Sequence, residues 1–209
     1  TGDTNARALF DDHPYYVDVD GTAVTPDGRT WGTAFKDIQS AVNAASADGG
    51  GVVWVAEGVY QGTTDPIVTL APDVSVYGGF SGVETERGQR DGKTHETRLE
   101  GQFKRRCVLG AGDSVFDGFV VAHGKTTNRG GGLYNNNGPR AVVSHCVFFE
   151  NLAGGGGGFD TETYSTVSDC IFVGNRAGGG GGAYANISST FSNCIFLNNV
   201  VSGSGGGLY

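Results

Sequence analysis

The chain has 209 residues, with 14 Lys plus Arg against 22 Asp plus Glu and a formal net charge of −8. That length fits one domain with a continuous core, and the acidic balance argues against nucleic acid, whose phosphates demand a basic face. The 38 Gly and 5 Pro fit neither collagen nor a proline-rich linker, and no apolar run is long enough for a membrane-spanning helix, so no membrane insertion is expected of this segment.

Residues 1–13 are polar and irregular and read as a flexible or docking arm ahead of one domain over 14–209. Tyr15 to Val19 reads as a first strand, closed by Asp20-Gly21 and followed by the turn signal Pro26-Asp27-Gly28. Between about 34 and 46 the apolar residues Ala34, Phe35, Ile38, Ala41, Val42 and Ala45 fall at helical spacing, with Thr33 placed as N-cap. One amphipathic helix ahead of a strand stack is positioned to cover its first open rung, whose unpaired backbone would otherwise template aggregation. Short strands follow at Val52 to Val55, Ile67 to Leu70 and Val74 to Tyr77, separated by Gly, Pro or Asp turns. Residues 81–98 are charged and read as a long surface loop, after which Val108-Leu109, Val115-Phe116 and Phe119 to Val121 resume the strands.

From about residue 142 the chain repeats every 24 residues. Cys146-Val147-Phe148-Phe149-Glu150-Asn151 returns as Cys170-Ile171-Phe172-Val173-Gly174-Asn175 and as Cys194-Ile195-Phe196-Leu197-Asn198-Asn199, each followed by a glycine run. So short a unit cannot bury its own apolar face and must stack on its neighbours. Strand-like content with glycine corners predicts an all-β, right-handed, single-stranded parallel β-helix, each coil advancing about 4.8 Å. Strand parity puts the Cys and Phe columns inside and the polar column His145/Asp169/Asn193 outside. It also puts two apolar columns outside, Val147/Ile171/Ile195 and Phe149/Val173/Leu197. Three readings fit those columns: contact with another subunit, cover by another part of the chain such as 81–98, or an inverted parity. The Asn151/Asn175/Asn199 column falls at a corner where stacked amides can bond from coil to coil. Cys107, Cys146, Cys170 and Cys194 read as free buried thiols, a disulfide between adjacent coils being the alternative; no zinc-type spacing occurs. Leu133-Tyr134 lies inside a repeat, so the matching Leu208-Tyr209 is expected to stand mid-coil and leave an open end there.

These features resemble the parallel β-helices of the pectin-lyase-like superfamily, most closely the repeats of polymorphic outer-membrane proteins. Their signatures, Gly-Gly-apolar and Phe-x-x-Asn, stand here as Gly131-Gly132-Leu133, Gly181-Gly182-Ala183 and Gly206-Gly207-Leu208, and as Phe148…Asn151, Phe172…Asn175 and Phe196…Asn199. Trp31-Gly32-Thr33-Ala34-Phe35, Trp54-Val55-Ala56-Glu57-Gly58-Val59-Tyr60 and Tyr77-Gly78-Gly79-Phe80 look like the opening of bacterial surface β-helix proteins. The resemblance implies an extracellular or cell-surface location. It leaves activity open, because such helices include adhesins, passenger domains, fibres and polysaccharide enzymes.

No catalytic residue is assigned from sequence. His145 and Asp169, on adjacent coils of one outward column, are the candidates for an acid–base pair, and Asp117, His123, Lys125 and Arg129 could line a cleft beside them. No cofactor is required; calcium is the one ion for which there is a candidate site, at Asp18 and Asp20, although the EF-hand pattern fails with Arg29 at its twelfth position. The expected function is a non-enzymatic extracellular structural or adhesive β-helix, self-assembling into a filament or forming part of a longer surface protein. Its expected contacts are head-to-tail or lateral, through Val147, Phe149, Ile171, Val173, Ile195, Leu197, Leu208 and Tyr209. The alternative is a polysaccharide lyase, a glycoside hydrolase or a glycan-binding module on the same fold.

Overall fold

The computed structural model describes residues 13–185 and 188–209; the arm expected at 1–13 falls, but for His13, outside them. The described residues wind into a parallel β-solenoid with three long sheets and a short two-stranded one, Arg176–Ala177 with Val200–Val201. The first sheet stacks Tyr15–Val17, Gly51–Ala56, Val74–Phe80, Val115–Asp117, Ala141–Ser144, Ser165–Ser168 and Thr190–Ser192. The second stacks Gly58–Tyr60, Thr97–Glu100, Phe119–Ala122, Val147–Phe149, Ile171–Val173 and Ile195–Leu197. The third stacks Val68–Thr69, Val108–Leu109, Leu133–Asn135, Phe159–Thr161 and Ala183–Ala185. The register matches the repeat, with Val147 beside Ile171 and Ile171 beside Ile195. One coil earlier, Val120 stands beside Val147, so three extra residues are accommodated in that coil.

The interior is built from columns. Phe148 stacks on Phe172 at 4.9 Å and Phe172 on Phe196 at 4.8 Å, with rings nearly parallel, because equivalent side chains in neighbouring strands sit one strand spacing apart. Cys146 and Cys170 are fully buried beside them, Cys194 is half-buried, and all four cysteines are free thiols. The glycine runs let coils approach at the next corner: a Cβ on Gly182 would stand 2.6 Å from the Gly207 carbonyl and 2.7 Å from the Phe196 ring. Just ahead of each glycine run, after the second-sheet strand, the asparagines form a ladder. Asn175 Oδ1 accepts from the Asn151 amide at 2.9 Å and from Asn151 Nδ2 at 3.0 Å, while Asn175 Nδ2 donates to Phe148 O at 2.9 Å and to Asn199 Oδ1 at 3.0 Å. Asn151 and Asn175 are fully buried yet satisfied, as burial of a primary amide requires.

One α-helix, Ile38–Ala47, lies at the N-terminal side and turns Ile38, Ala41, Val42 and Ala45 onto the first coil. It begins later than the sequence pattern predicts, and Thr33 is not its cap. Asp37 caps it instead, accepting from the Ser40 amide at 2.8 Å. Thr33 closes a 3₁₀ turn, Trp31–Thr33, and Phe35 is drawn into a β-bridge with Val17, so the chain is extended where a helix was expected. The expected surface loop at 81–98 also ends early. Thr97–Glu100 is a strand of the second sheet, with Thr97 and Leu99 buried and Arg98 and Glu100 turned out; its charged outer face hid its period-two pattern. The aromatic motifs near the N-terminus converge outside the first sheet, where Trp54 stacks on Phe80 at 4.8 Å and Trp31 packs against Phe80 and Tyr16.

Candidate functional site: the outer face of the second sheet

The inward residues of the second sheet are buried, so its alternate residues point outward. One outward row runs Val59, Arg98, Val120, Val147, Ile171, Ile195, and the next continues from Glu100 through Ala122, Phe149, Val173 and Leu197. The face is therefore charged near the N-terminal end and apolar over the last three coils. Val147, Phe149, Ile171 and Val173 are half-buried, and Ile195 and Leu197 are each 50% exposed. The 81–96 segment borders this block, with Arg90, Lys93 and Glu96 lining a groove together with Val147 and Ile171. Leu208 and Tyr209, which the sequence reading grouped with these residues, stand elsewhere. Leu208 bridges to Ala183 in the third sheet and Tyr209 stacks on Tyr184 at 5.0 Å.

Two corner rows edge the apolar block. His145, Asp169 and Asn193 adopt φ values of 51°, 55° and 51° on one side, and Glu150, Gly174 and Asn198 adopt 49°, 68° and 52° on the other. Left-handed backbone turns the chain sharply into and out of each three-residue strand. His145 and Asp169 line a groove of about 430 Å³ with Val120, Val147, Arg90 and Lys93, but they are not each other's partners. His145 Nδ1 donates to Asp117 Oδ2 at 2.8 Å, and Asp169 accepts from Asn193 Nδ2 at 3.2 Å. Asp117 also accepts from Ser144 Oγ at 2.6 Å and forms an ion pair with Arg90. Burial pushes its carboxyl up, but the Ser144, His145 and Arg90 contacts outweigh that and hold it below the ordinary range. That is the wrong direction for a general acid, which must carry its proton at neutral pH. Asp117 with His145 and Arg90 is built to brace the corner and the 81–96 segment.

The cleft expected from Asp117, His123, Lys125 and Arg129 does not form, because successive corners carry them apart. His123 sits at the second corner row, bonded through Nδ1 to Glu100 at 2.9 Å and packed between the Phe103 and Phe149 rings. Lys125 forms a backbone bridge with Leu152. Arg129 lies over the third sheet, where its Nε is 3.0 Å from both oxygens of the fully buried Asp160. Arg129 also pairs with Glu162 and lies 4.5 Å over the Tyr184 ring, and Tyr134 donates to Glu162 at 2.9 Å. Sequence reasoning missed this cluster. Its only signal was a glycine run ahead of Phe159-Asp160, since the Asp160 side chain occupies space that a Cβ on Gly156 would fill, 2.5 Å away. At the calcium candidate, Asp18 Oδ1 accepts the Asp20 amide at 2.9 Å. Among the described residues no group of three or more His, Cys, Asp or Glu is gathered in a way that could hold a metal ion.

Residues 193–209 match the Chlamydia polymorphic membrane protein (Chlamydia_PMP) repeat. They contain Phe196…Asn199, whose asparagine closes the amide ladder, and Gly206-Gly207-Leu208, in which Gly207 packs against Phe196 and Gly206 against the Asn199 carbonyl. No curated protein and no solved structure matches the chain. Among the described residues, no helix is long and apolar enough to cross a membrane. The last coil thus carries a polymorphic-membrane-protein repeat on a parallel β-solenoid, which points to a surface or outer-membrane-associated β-helix protein.

Proposed function

We propose that this chain is a cell-surface structural or adhesive module that works by contact, presenting the outer face of the second sheet to a partner, and that it catalyses no reaction. The observation that carries this reading is the block Val147, Phe149, Ile171, Val173, Ile195 and Leu197, six apolar side chains pointing away from the core on three consecutive coils. Contiguous apolar surface of this kind marks interaction sites on soluble domains. The groove beside it argues against turnover, since its most buried carboxylate is already engaged by a hydroxyl, an imidazole and a guanidinium. The test has two arms. Incubation with acidic and neutral polysaccharides, read for new reducing ends and unsaturated products, should give none. An environment-sensitive apolar dye should bind the native chain and lose binding in Ile171→Lys. Turnover that disappears in Asp117→Asn or His145→Ala would overturn the proposal.

A further inference from the structure

The apolar block has a symmetry that narrows its partner. Each of its three coils carries two outward apolar residues flanking an inward Phe, so the inward phenylalanine column marks the block's midline. The corner rows lie on either side of that line: His145, Asp169 and Asn193 before the strands, Glu150, Gly174 and Asn198 after them. His145 and Glu150 are both substantially exposed, with side-chain exposures of 62% and 50%, and Glu150 Oε2 also lies 3.5 Å from His123 Nε2 of its own chain. The Nδ1 of His145 is committed to Asp117, which leaves Nε2 outside that bond.

We infer that this face pairs with the same face of a second copy, across a two-fold axis running along the solenoid, so that His145 of each copy meets Glu150 of the other. The inference rests on the contact reading proposed above and identifies its partner. An axis along the solenoid keeps every coil at its own level while reversing strand direction. Val147 then lies against Phe149 of the second copy, Ile171 against Val173 and Ile195 against Leu197, in the face-to-face packing of two sheets about 10 Å apart. At successive levels His145 faces Glu150, Asp169 faces Gly174 and Asn193 faces Asn198, so no two carboxylate-bearing residues occupy facing positions of one level. A two-fold axis at right angles, along the middle strand, would instead set Asp169 against Asp169 of the second copy, and opposed like charges select against such an arrangement. A second copy also repeats the strand spacing automatically, whereas an unrelated partner would have to match a row of side chains about 4.8 Å apart. The contact is isologous and closes on itself, giving a dimer and not a fibre.

Sedimentation equilibrium of the full chain tests this. The wild type should dimerise reversibly, and Ile195→Lys, which alters a half-exposed residue of the last coil, should leave it monomeric with an unchanged melting temperature. Glu150→Arg and His145→Glu should each weaken the dimer at least tenfold. Mixing those two variants in equal amounts should restore it, because the mixed dimer opposes Arg to Glu on one rim and His to Glu on the other. If His145→Glu unfolds early, Glu150→Arg alone must still weaken the dimer. A monomeric wild type at every concentration would overturn the inference. So would a dimer that Ile195→Lys abolishes but the mixed variants do not restore, which would put the face right and the axis wrong. A monomer that still binds the apolar dye sinks the homodimer and leaves the contact reading standing, whereas turnover in the groove sinks the contact reading itself.

Discussion

Asn175→Ala is the substitution that most sharply probes how the coils are held together. The Asn175 side chain is fully buried and makes four hydrogen bonds spread over three coils. Truncation to Ala strands the Asn151 backbone N–H and one Asn151 Nδ2 proton and removes the side-chain bond that Phe148 O accepts beside its place in the sheet ladder, while Asn199 Oδ1 keeps the bond it accepts from the Asn175 amide at 3.0 Å. Each stranded buried group costs about 1–3 kcal/mol. Two such groups sum to about 2–6 kcal/mol, a drop on the order of 10 °C in melting temperature at about 2–4 °C per kcal/mol for a domain of this size. Asn199→Ala should cost less, because Asn199 is only partly buried and ends the described ladder. Thermal melts and urea titrations followed by circular dichroism measure both. A cost below about 1 kcal/mol for Asn175→Ala would refute the view that the ladder is a principal inter-coil tie, since even one stranded buried group costs that much.

Phe172→Ala, in the middle of the ring column, should cost about 3–5 kcal/mol, because rings stacked above and below prevent collapse into the void; a urea midpoint close to wild type would contradict it. In native protein Cys194 should react with a thiol reagent well before Cys107, Cys146 and Cys170, which are fully buried; four equal rates would show that the interior assignment is wrong. Burial pushes the Asp160 carboxyl up to about 6 against the Arg129 contacts. A folded value above the unfolded one means the native chain binds the extra proton, so this group's contribution falls as pH rises from about 4 to about 6, by at most about 3 kcal/mol. Urea midpoints of wild type and Asp160→Asn across that range should converge on one side and diverge on the other, and parallel curves would rule the effect out.

The solenoid was legible because its determinants are local and repeated. The Cys, Phe and Asn positions recur at one spacing, and parity within a three-residue strand assigns their faces without knowledge of anything distant. Where the sequence misled, non-local contacts decided the outcome. Thr33 looked like a helix cap until Phe35 was claimed by Val17. Thr97 and Arg98 looked like loop residues because their strand turns charge outward and is held by its neighbours in the sheet. The candidate site divided in the same way. The apolar columns and the polar column were visible as columns, but the partners of His145 and Arg129 were not. Asp117 lies in the irregular coil with three extra residues, and Asp160 reaches Arg129 across a glycine run that carries no side-chain signal.

Oxidative footprinting of the purified chain over a concentration series tests the central claim, that the outer face of the second sheet is where this protein meets its partner. The account predicts that Phe149, Ile171, Val173, Ile195 and Leu197 lose reactivity together as concentration rises, while Val24, Val83 and Tyr164, exposed on other surfaces, keep theirs. Protection that falls on those other surfaces and spares the second sheet would contradict it.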